Sequence, residues 1–516
     1  MDSFLHRHAS SVIASLCGWD RLRFRGTLRM LANVRGLGLF LSYTARLLKD
    51  FGQFALESSR RVREASLESA QRKGRPVVHL ASASICKEEQ ARAIAQRDGI
   101  AEGLICVLAA VEPCGGYDIR SDKASGKLKL IHAPRRCQHL YHYYLHPIFG
   151  FMHVRLQTWL PFNQFICING REWLSRQMDL AGIGYVRADN CFTRIDDPAA
   201  AQKLLEEQVS FNYEKALGDL GRLVNPALQQ IVGDWKTDYY WSLEESEWAT
   251  DVMFKSESEL SRLYPALVRH GVHGLRCPDV LRFLGHRLPG HGRVHGNYLE
   301  QVSSDLKRRV EGVRLKYRAG SNSVKMYDKQ GSVLRVETTL NDMRQLKAPA
   351  VVKGKTVWRK MRKGVSDIKR RAQVSAACNG RYLEAVSAIQ TPTPLKTLTE
   401  SLGRATTWKG RRVRGLNLLG EDARLLEAVA GGEFLINGFR NRDVQRAMFG
   451  EPAQDPAQKR SRSAKVTRIL RMLRAHGLIQ KVSRTHRYLV SEMGRQVNSA
   501  LQAAREADVQ KLMAAA

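Results

Sequence analysis

Residues 322–341, NSVKMYDKQGSVLRVETTLN, alternate apolar and polar positions on both sides of Asp328-Lys-Gln-Gly331. Period-two alternation suits a strand, and the glycine supplies the positive φ that a tight loop needs, so the stretch predicts a β-hairpin. Val324, Met326, Leu334, Val336 and Leu340 then share one apolar face, while Lys325, Tyr327, Arg335 and Glu337 share the other. A one-residue slip would turn Arg335 and Glu337 into the core, so the loop must hold an odd number of residues. A phenol, a carboxylate and two cations on one sheet face are the ingredients of a site for phosphate chemistry.

Charge narrows the partners. Lys and Arg total 83 against 50 for Asp and Glu, a formal charge of +33 over 516 residues, which calls for a strongly positive surface and a polyanion as partner. No apolar run of about 18 residues and no lipid-anchor motif stands in the sequence, which favours nucleic acid over a membrane. The N-terminal MDSFLHRHASSVIASLCGWD lacks the apolar length and cleavage pattern of a signal peptide, so the expected location is cytoplasmic. Nine cysteines without a C-x-x-C spacing predict reduced thiols instead of a zinc ribbon or a disulfide framework.

At about 150 residues per domain the length predicts an α+β multidomain chain. The boundaries read as a helical N-terminal region (1–74), a small α/β unit (75–135), a central α+β sheet domain (136–350) with a helical insertion (199–312), a basic linker or arm (351–419) and a C-terminal domain (420–516). Apolar residues at Val12, Ile13 and Leu16, and at Leu37, Phe40, Leu41 and Leu48, recur at helical spacing. Between them Arg21, Arg23 and Arg25 interleave with Leu22 and Phe24, either as a basic strand laid on a phosphate backbone or as a solvated charged face. Residues 75–133 read strand, helix, strand, strand. A strand pair, 149–160 and 162–168, then leads through Asn169-Gly170 into a helix. His153, Arg155 and Gln157 share a face of that pair. With His139, His142 and His146 nearby in sequence, His153 is a candidate ligand for a divalent metal, a packed histidine being the alternative. Residues 199–262 and 298–310 read as helices. The aromatic cluster Trp235, Tyr239, Tyr240 and Trp241 suits base stacking or a domain seam. In 353–372, Arg359, Lys360, Arg362, Lys363, Arg370 and Arg371 read as a phosphate-tracking arm or a solvated linker.

From residue 420 the order is helix (421–429), turn, helix (441–449) with Asn441 as its N-cap, long basic loop, helix (464–476) ending at Gly477, then two short strands. The motifs His476-Gly-Leu-Ile479 and Arg487-Tyr-Leu-Val-Ser-Glu-Met-Gly494 resemble the winged-helix DNA-binding domains of MarR-type bacterial regulators. The resemblance implies that the helix carrying Lys465, Arg468, Arg471 and Arg474 enters the major groove, and that Arg484 and Arg487 on the wing reach flanking backbone.

Tyr327-Asp-Lys followed by Arg335-Val-Glu resembles the Y-[DN]-K and R-[IV]-E motifs of rolling-circle replication initiators. That likeness implies Tyr327 as nucleophile and Glu337 as ligand of Mg²⁺ or Mn²⁺, with Lys325 and Arg335 neutralising the phosphate. The strand FMHVRLQ is similar to the metal-binding strand of HUH endonucleases, with His153 matching and Phe151 standing where the first histidine of that motif falls. Together the likenesses imply a nucleic-acid-binding protein of a mobile or plasmid-like element, acting as a nickase or replication initiator on DNA. The alternative is a non-catalytic DNA- or RNA-binding regulator or ribonucleoprotein component in which the hairpin merely packs.

Overall fold

The computed structural model describes residues 2–506 apart from 236, 276, 287–301, 310–311, 345, 353–354, 388–394, 419, 431–437, 452 and 483–484. In chain order the strands are β1 (Val12–Thr27), β2 (Val77–His79), β3 (Gly103–Ser121), β4 (Leu128–His146), β5 (Gly150–Gln157), β6 (Gln164–Asn169), β7 (Tyr185–Ala188), β8 (Cys191–Ile195), β9 (Tyr240–Phe254) and β10 (Val302–Arg308). They continue with β11 (Val313–Ala319), β12 (Asn322–Lys329), β13 (Val333–Leu340), β14 (Lys347–Val352), β15 (Lys355–Lys360), β16 (Thr406–Trp408), β17 (Arg411–Val413), β18 (Ile479–Lys481) and β19 (Tyr488–Val490). Helices alternate with them, giving a mixed helix-and-sheet protein with two compact units. One comprises Met1–Ala14, Asp251–Thr338 and Ala377–Ala516; the other comprises Ser15–Thr250 and Thr339–Ala376. No helix among the described residues is long and apolar enough to cross a membrane.

In the unit built from residues 15–250 and 339–376 the strand order is β9-β1-β6-β5-β4-β3-β2, with β2 parallel to β3. Strand β1 shows why it forms: Leu22 and Phe24 are fully buried on one face, while Arg21 and Arg23 are exposed on the other. The helical spacing expected from Val12 to Leu16 gives way to this strand. Val12 and Ile13 are β-branched neighbours, and one i, i+4 pair is too little to fix a helix. Strand β9 likewise replaces an expected helix, burying Trp241 and Leu243 two residues apart. Residues 355–372 form a strand and the start of a helix instead of an arm: β15 comes first and helix Ile368–Val386 follows.

In the other unit the order is β10-β11-β12-β13. The hairpin is present, with its loop at residues 330–332 instead of 328–331: three residues, with φ of 57° at Gln330 and 73° at Gly331. Val324, Met326, Leu334 and Val336 are fully buried in a core with Leu260, Leu281, Phe283 and Tyr382. Strand β10 occupies part of the stretch expected to be a helix, because Val302 and Leu306 mimic helical spacing while its ladder with β11 runs from Val302↔Ala319 to Arg308↔Val313. Residues 287–301 of the expected helical insertion and 388–394 of the expected basic linker lie outside the described residues.

A further core gathers Leu425, Leu426, Phe439, Val444, Val466, Leu470, Ile479 and Val497. It joins helices Ala423–Ala430, Asn441–Phe449, Pro456–Ala475 and Glu492–Glu506 to the antiparallel pair β18–β19. The long helix starts eight residues before the expected 464. Pro456 occupies its first turn, and the Asp455 side chain caps it by accepting from the Gln458 N–H at 2.7 Å. The basic run expected as loop is therefore helical. Asn441 is not an N-cap. Asp443 accepts from the Arg440 N–H at 2.7 Å, which leaves the Asn441 amide free to donate to Ser463 O (3.1 Å) and Thr467 Oγ1 (2.9 Å) on the long helix.

Candidate nucleic-acid interface and hairpin site

On the polar face of the hairpin the Tyr327 hydroxyl donates to Glu337 Oε2 at 3.0 Å, and the Lys325 ammonium lies 2.6 Å from Glu337 Oε1. Tyr327 is 8% exposed and Glu337 1%. The guanidinium carbon of Arg309 lies 5.5 Å from the centre of the Tyr327 ring, and Lys325 Nζ 5.7 Å from it, both within cation–π reach. Arg335 grips Asp251 with two parallel bonds of 2.6 and 2.8 Å. The sequence placed four of these groups on one face. It gave no sign of Asp251, which comes from the far end of β9. Chemically the array is a phenol held by a carboxylate, with a lysine balancing the charge. That is the arrangement a tyrosine nucleophile needs from its base.

The helix Pro456–Ala475 carries Lys459, Arg460, Arg462, Lys465, Arg468, Arg471 and Arg474 and no acid. Lys465, Arg468 and Arg471 are exposed. Arg474 is half-buried with its guanidinium over the Trp408 ring at 5.0 Å, so packing holds it. Between this helix and Asn441–Phe449 lies a cleft of about 610 Å³ lined by Arg442, Arg446, Lys459, Arg460 and Arg462 with Glu451 as its acid. Sequence reading missed Arg442 and Arg446, which line the cleft through a contact between distant helices that the local spacing does not show. Arg487 is exposed beside β19, and Arg484 lies outside the described residues.

The remaining basic candidates divide by environment. Arg23, Lys360 and Arg362 are exposed. Arg21 is paired with Glu245 at 2.6 Å and Glu247 at 3.1 Å, Arg359 with Asp367 at 2.5 Å, and Lys363 with Glu244 at 3.5 Å. Arg370 lies over the Trp358 ring at 5.1 Å. Arg25 is half-buried beside the Phe165 ring, 5.8 Å from its centre. Arg371 is 1% exposed and donates to the carbonyls of Leu243 and Leu340, and burial pushes its pKa down to about 9. It is a clamp on the backbone of its own unit, not a residue that tracks phosphates. Its place on the inward side of an amphipathic helix decides this.

His153 packs against Tyr141 and Tyr143, with ring centres 5.8 and 5.1 Å away. Burial, with the charge of Arg155 next, pushes its pKa down to about 4. Among the described residues no set of three His, Cys, Asp or Glu ligand atoms includes His153. Glu337 carries the Lys325 ammonium on Oε1 at 2.6 Å. Comparison with protein-family models, with curated proteins and with solved structures finds no match to this chain.

Proposed function

We propose that the protein binds nucleic acid, with DNA the favoured partner, and reads its site through the helix Pro456–Ala475 in a winged-helix arrangement with β18–β19 as the wing. One observation carries the reading: this helix presents Lys465, Arg468 and Arg471 to solvent and has no carboxylate of its own to neutralise them. A protein-binding face gains little from a desolvated stack of like charges, whereas a phosphate backbone releases counterions to it. The test is a binding titration of the full-length chain against duplex DNA and RNA between 50 and 200 mM salt. In the variant combining Lys465→Ala, Arg468→Ala and Arg471→Ala the slope of log K against log salt should shrink by about 2 to 3, at roughly 0.9 per lost phosphate contact. An unchanged slope would overturn the reading.

The 3.0 Å hydrogen bond between Tyr327 and Glu337 favours a second reading, in which the protein nicks DNA of a mobile or plasmid-like element through Tyr327. The phenolic oxygen would attack a phosphodiester, passing its proton to Glu337, which returns it to the expelled 3′ oxygen; that strand leaves with a free 3′-hydroxyl while Tyr327 holds the 5′-phosphate. Supercoiled DNA incubated with the protein, with and without Mn²⁺, should give a covalent adduct that Tyr327→Phe abolishes. Intact binding with no adduct leaves the non-catalytic DNA- or RNA-binding protein.

A further inference from the structure

A second concave site, unconnected with the hairpin or the basic helix, is built on the sheet of the unit formed by residues 15–250 and 339–376. Strand pairing lays one row of side chains across it: Arg25 on β1 is the partner of Phe165 on β6, Phe165 of Arg155 on β5, and Arg155 of Tyr141 on β4. Directly paired residues point to the same face, so the two arginines flank one ring. Their guanidinium carbons lie 5.8 and 4.1 Å from its centre. The adjacent pair, His139 with Gln157, extends the same face. Above it, Pro113–Tyr117 of β3, His132 of β4 and Asn163 close a cavity of about 300 Å³.

Three features of this cavity are unexplained by the fold alone. Arg25 is half-buried with its Nε out of reach of water, and among the described residues no carboxylate pairs with it. Asn163 is 5% exposed, and its side-chain oxygen meets no donor. The acid nearest Arg155 is Glu112 at 3.4 Å, a carboxylate shared with the Tyr141 hydroxyl at 2.8 Å and the Lys87 ammonium at 3.2 Å. A partly buried guanidinium without a counterion and a buried amide oxygen without a donor are both costly, so a fold that keeps them together is prepared for an occupant that satisfies them. The occupant must be anionic and small, since 300 Å³ stands at the lower end of ligand cavities. Two guanidinium forks suit the several oxygens of a phosphate. Phe165, Pro113, Pro161 and Tyr117 offer the apolar wall for an organic half.

We propose that this cavity is a receptor for a phosphomonoester of mononucleotide size, held by Arg25 and Arg155 with the Asn163 amide as a further polar contact. His139, kept neutral by burial, which pushes its pKa down to about 4, faces the ligand as a hydrogen-bonding group and not as a third charge. The ligand is either a free mononucleotide or the phosphorylated 5′ end of a strand, which share this chemistry.

The test uses the full-length protein and calorimetric titration with inorganic phosphate, adenosine 5′-monophosphate, adenosine, and a short single strand with or without a 5′-phosphate. The monophosphate should bind at least tenfold more tightly than adenosine, and Arg25→Gln should remove that preference. Asn163→Asp, which sets a like charge against the ligand, should weaken it further while the circular-dichroism melt reports that the unit is folded. Preference for the phosphorylated strand over the mononucleotide assigns the site to a strand end; the reverse assigns it to a free nucleotide. The triple alanine variant of the basic helix keeps this binding, which separates the proposal from the nucleic-acid reading above. Equal affinity for the monophosphate and adenosine, or a preference that survives Arg25→Gln, would overturn it.

Discussion

Arg335 and Asp251 are 1% and 2% exposed, and the two bonds between them leave little of either charge uncompensated. Removing one partner strands the other in a dry core, and such a change costs about 3–5 kcal/mol. Asp251→Ala should therefore lower the urea midpoint of unfolding sharply, while Asp251→Leu with Arg335→Met should recover much of the loss. A midpoint for Asp251→Ala within error of the parent would show that the pair contributes nothing. At this scale the sequence was informative about the face of the hairpin and silent about partners. Alternation placed Arg335 beside Tyr327 and Glu337, but nothing in the chain marks Asp251, 84 residues upstream, as its acid. Arg371 makes the same point. In sequence it belongs to a basic run; in space it is sealed against backbone carbonyls.

Strands β4 and β5 concentrate histidines that folding keeps neutral. Burial pushes the pKa of His139, His142 and His153 from 6.5 down to about 4 in each case. The unfolded imidazoles take up protons below pH 6.5 that the folded ones refuse, so stability from these groups is complete above 6.5 and is lost as the pH falls from there towards about 4. For the almost wholly buried His142 the span amounts to on the order of 3 kcal/mol. The midpoint of thermal unfolding should thus drop between pH 7 and 4.5, and His142→Phe should flatten that drop. Identical pH profiles for parent and variant would rule the effect out. Elements were legible where their period was clean. The β12–β13 alternation and the strand-helix-strand order of residues 77–121 emerge much as expected. Strand β10 and the start of helix Pro456–Ala475 did not. In β10 two apolar residues four apart imitate a helix, and the basic tract before residue 464 reads as loop unless Asp455-Pro456 is weighed as a start signal.

Among the described residues the positive charge is distributed unevenly. Five cations line the cleft beside the long helix against one acid, whereas the arginines of β1 and of the 359–371 stretch are largely paired, stacked or buried. Composition alone cannot make that distinction, because a salt-bridged arginine and a bare one have the same letter. By itself the sequence determined the hairpin and its two faces, the mixed helix-and-sheet class and the cluster of positive charge near the C-terminus. All of these follow from spacing and composition within a few tens of residues. The tertiary structure alone decided that Asp251 neutralises Arg335, that Asn441 ties two helices together, and that Arg25, Arg155 and Asn163 converge on one cavity. Such contacts join residues far apart in the chain, and only strand pairing and packing bring them within a few ångströms.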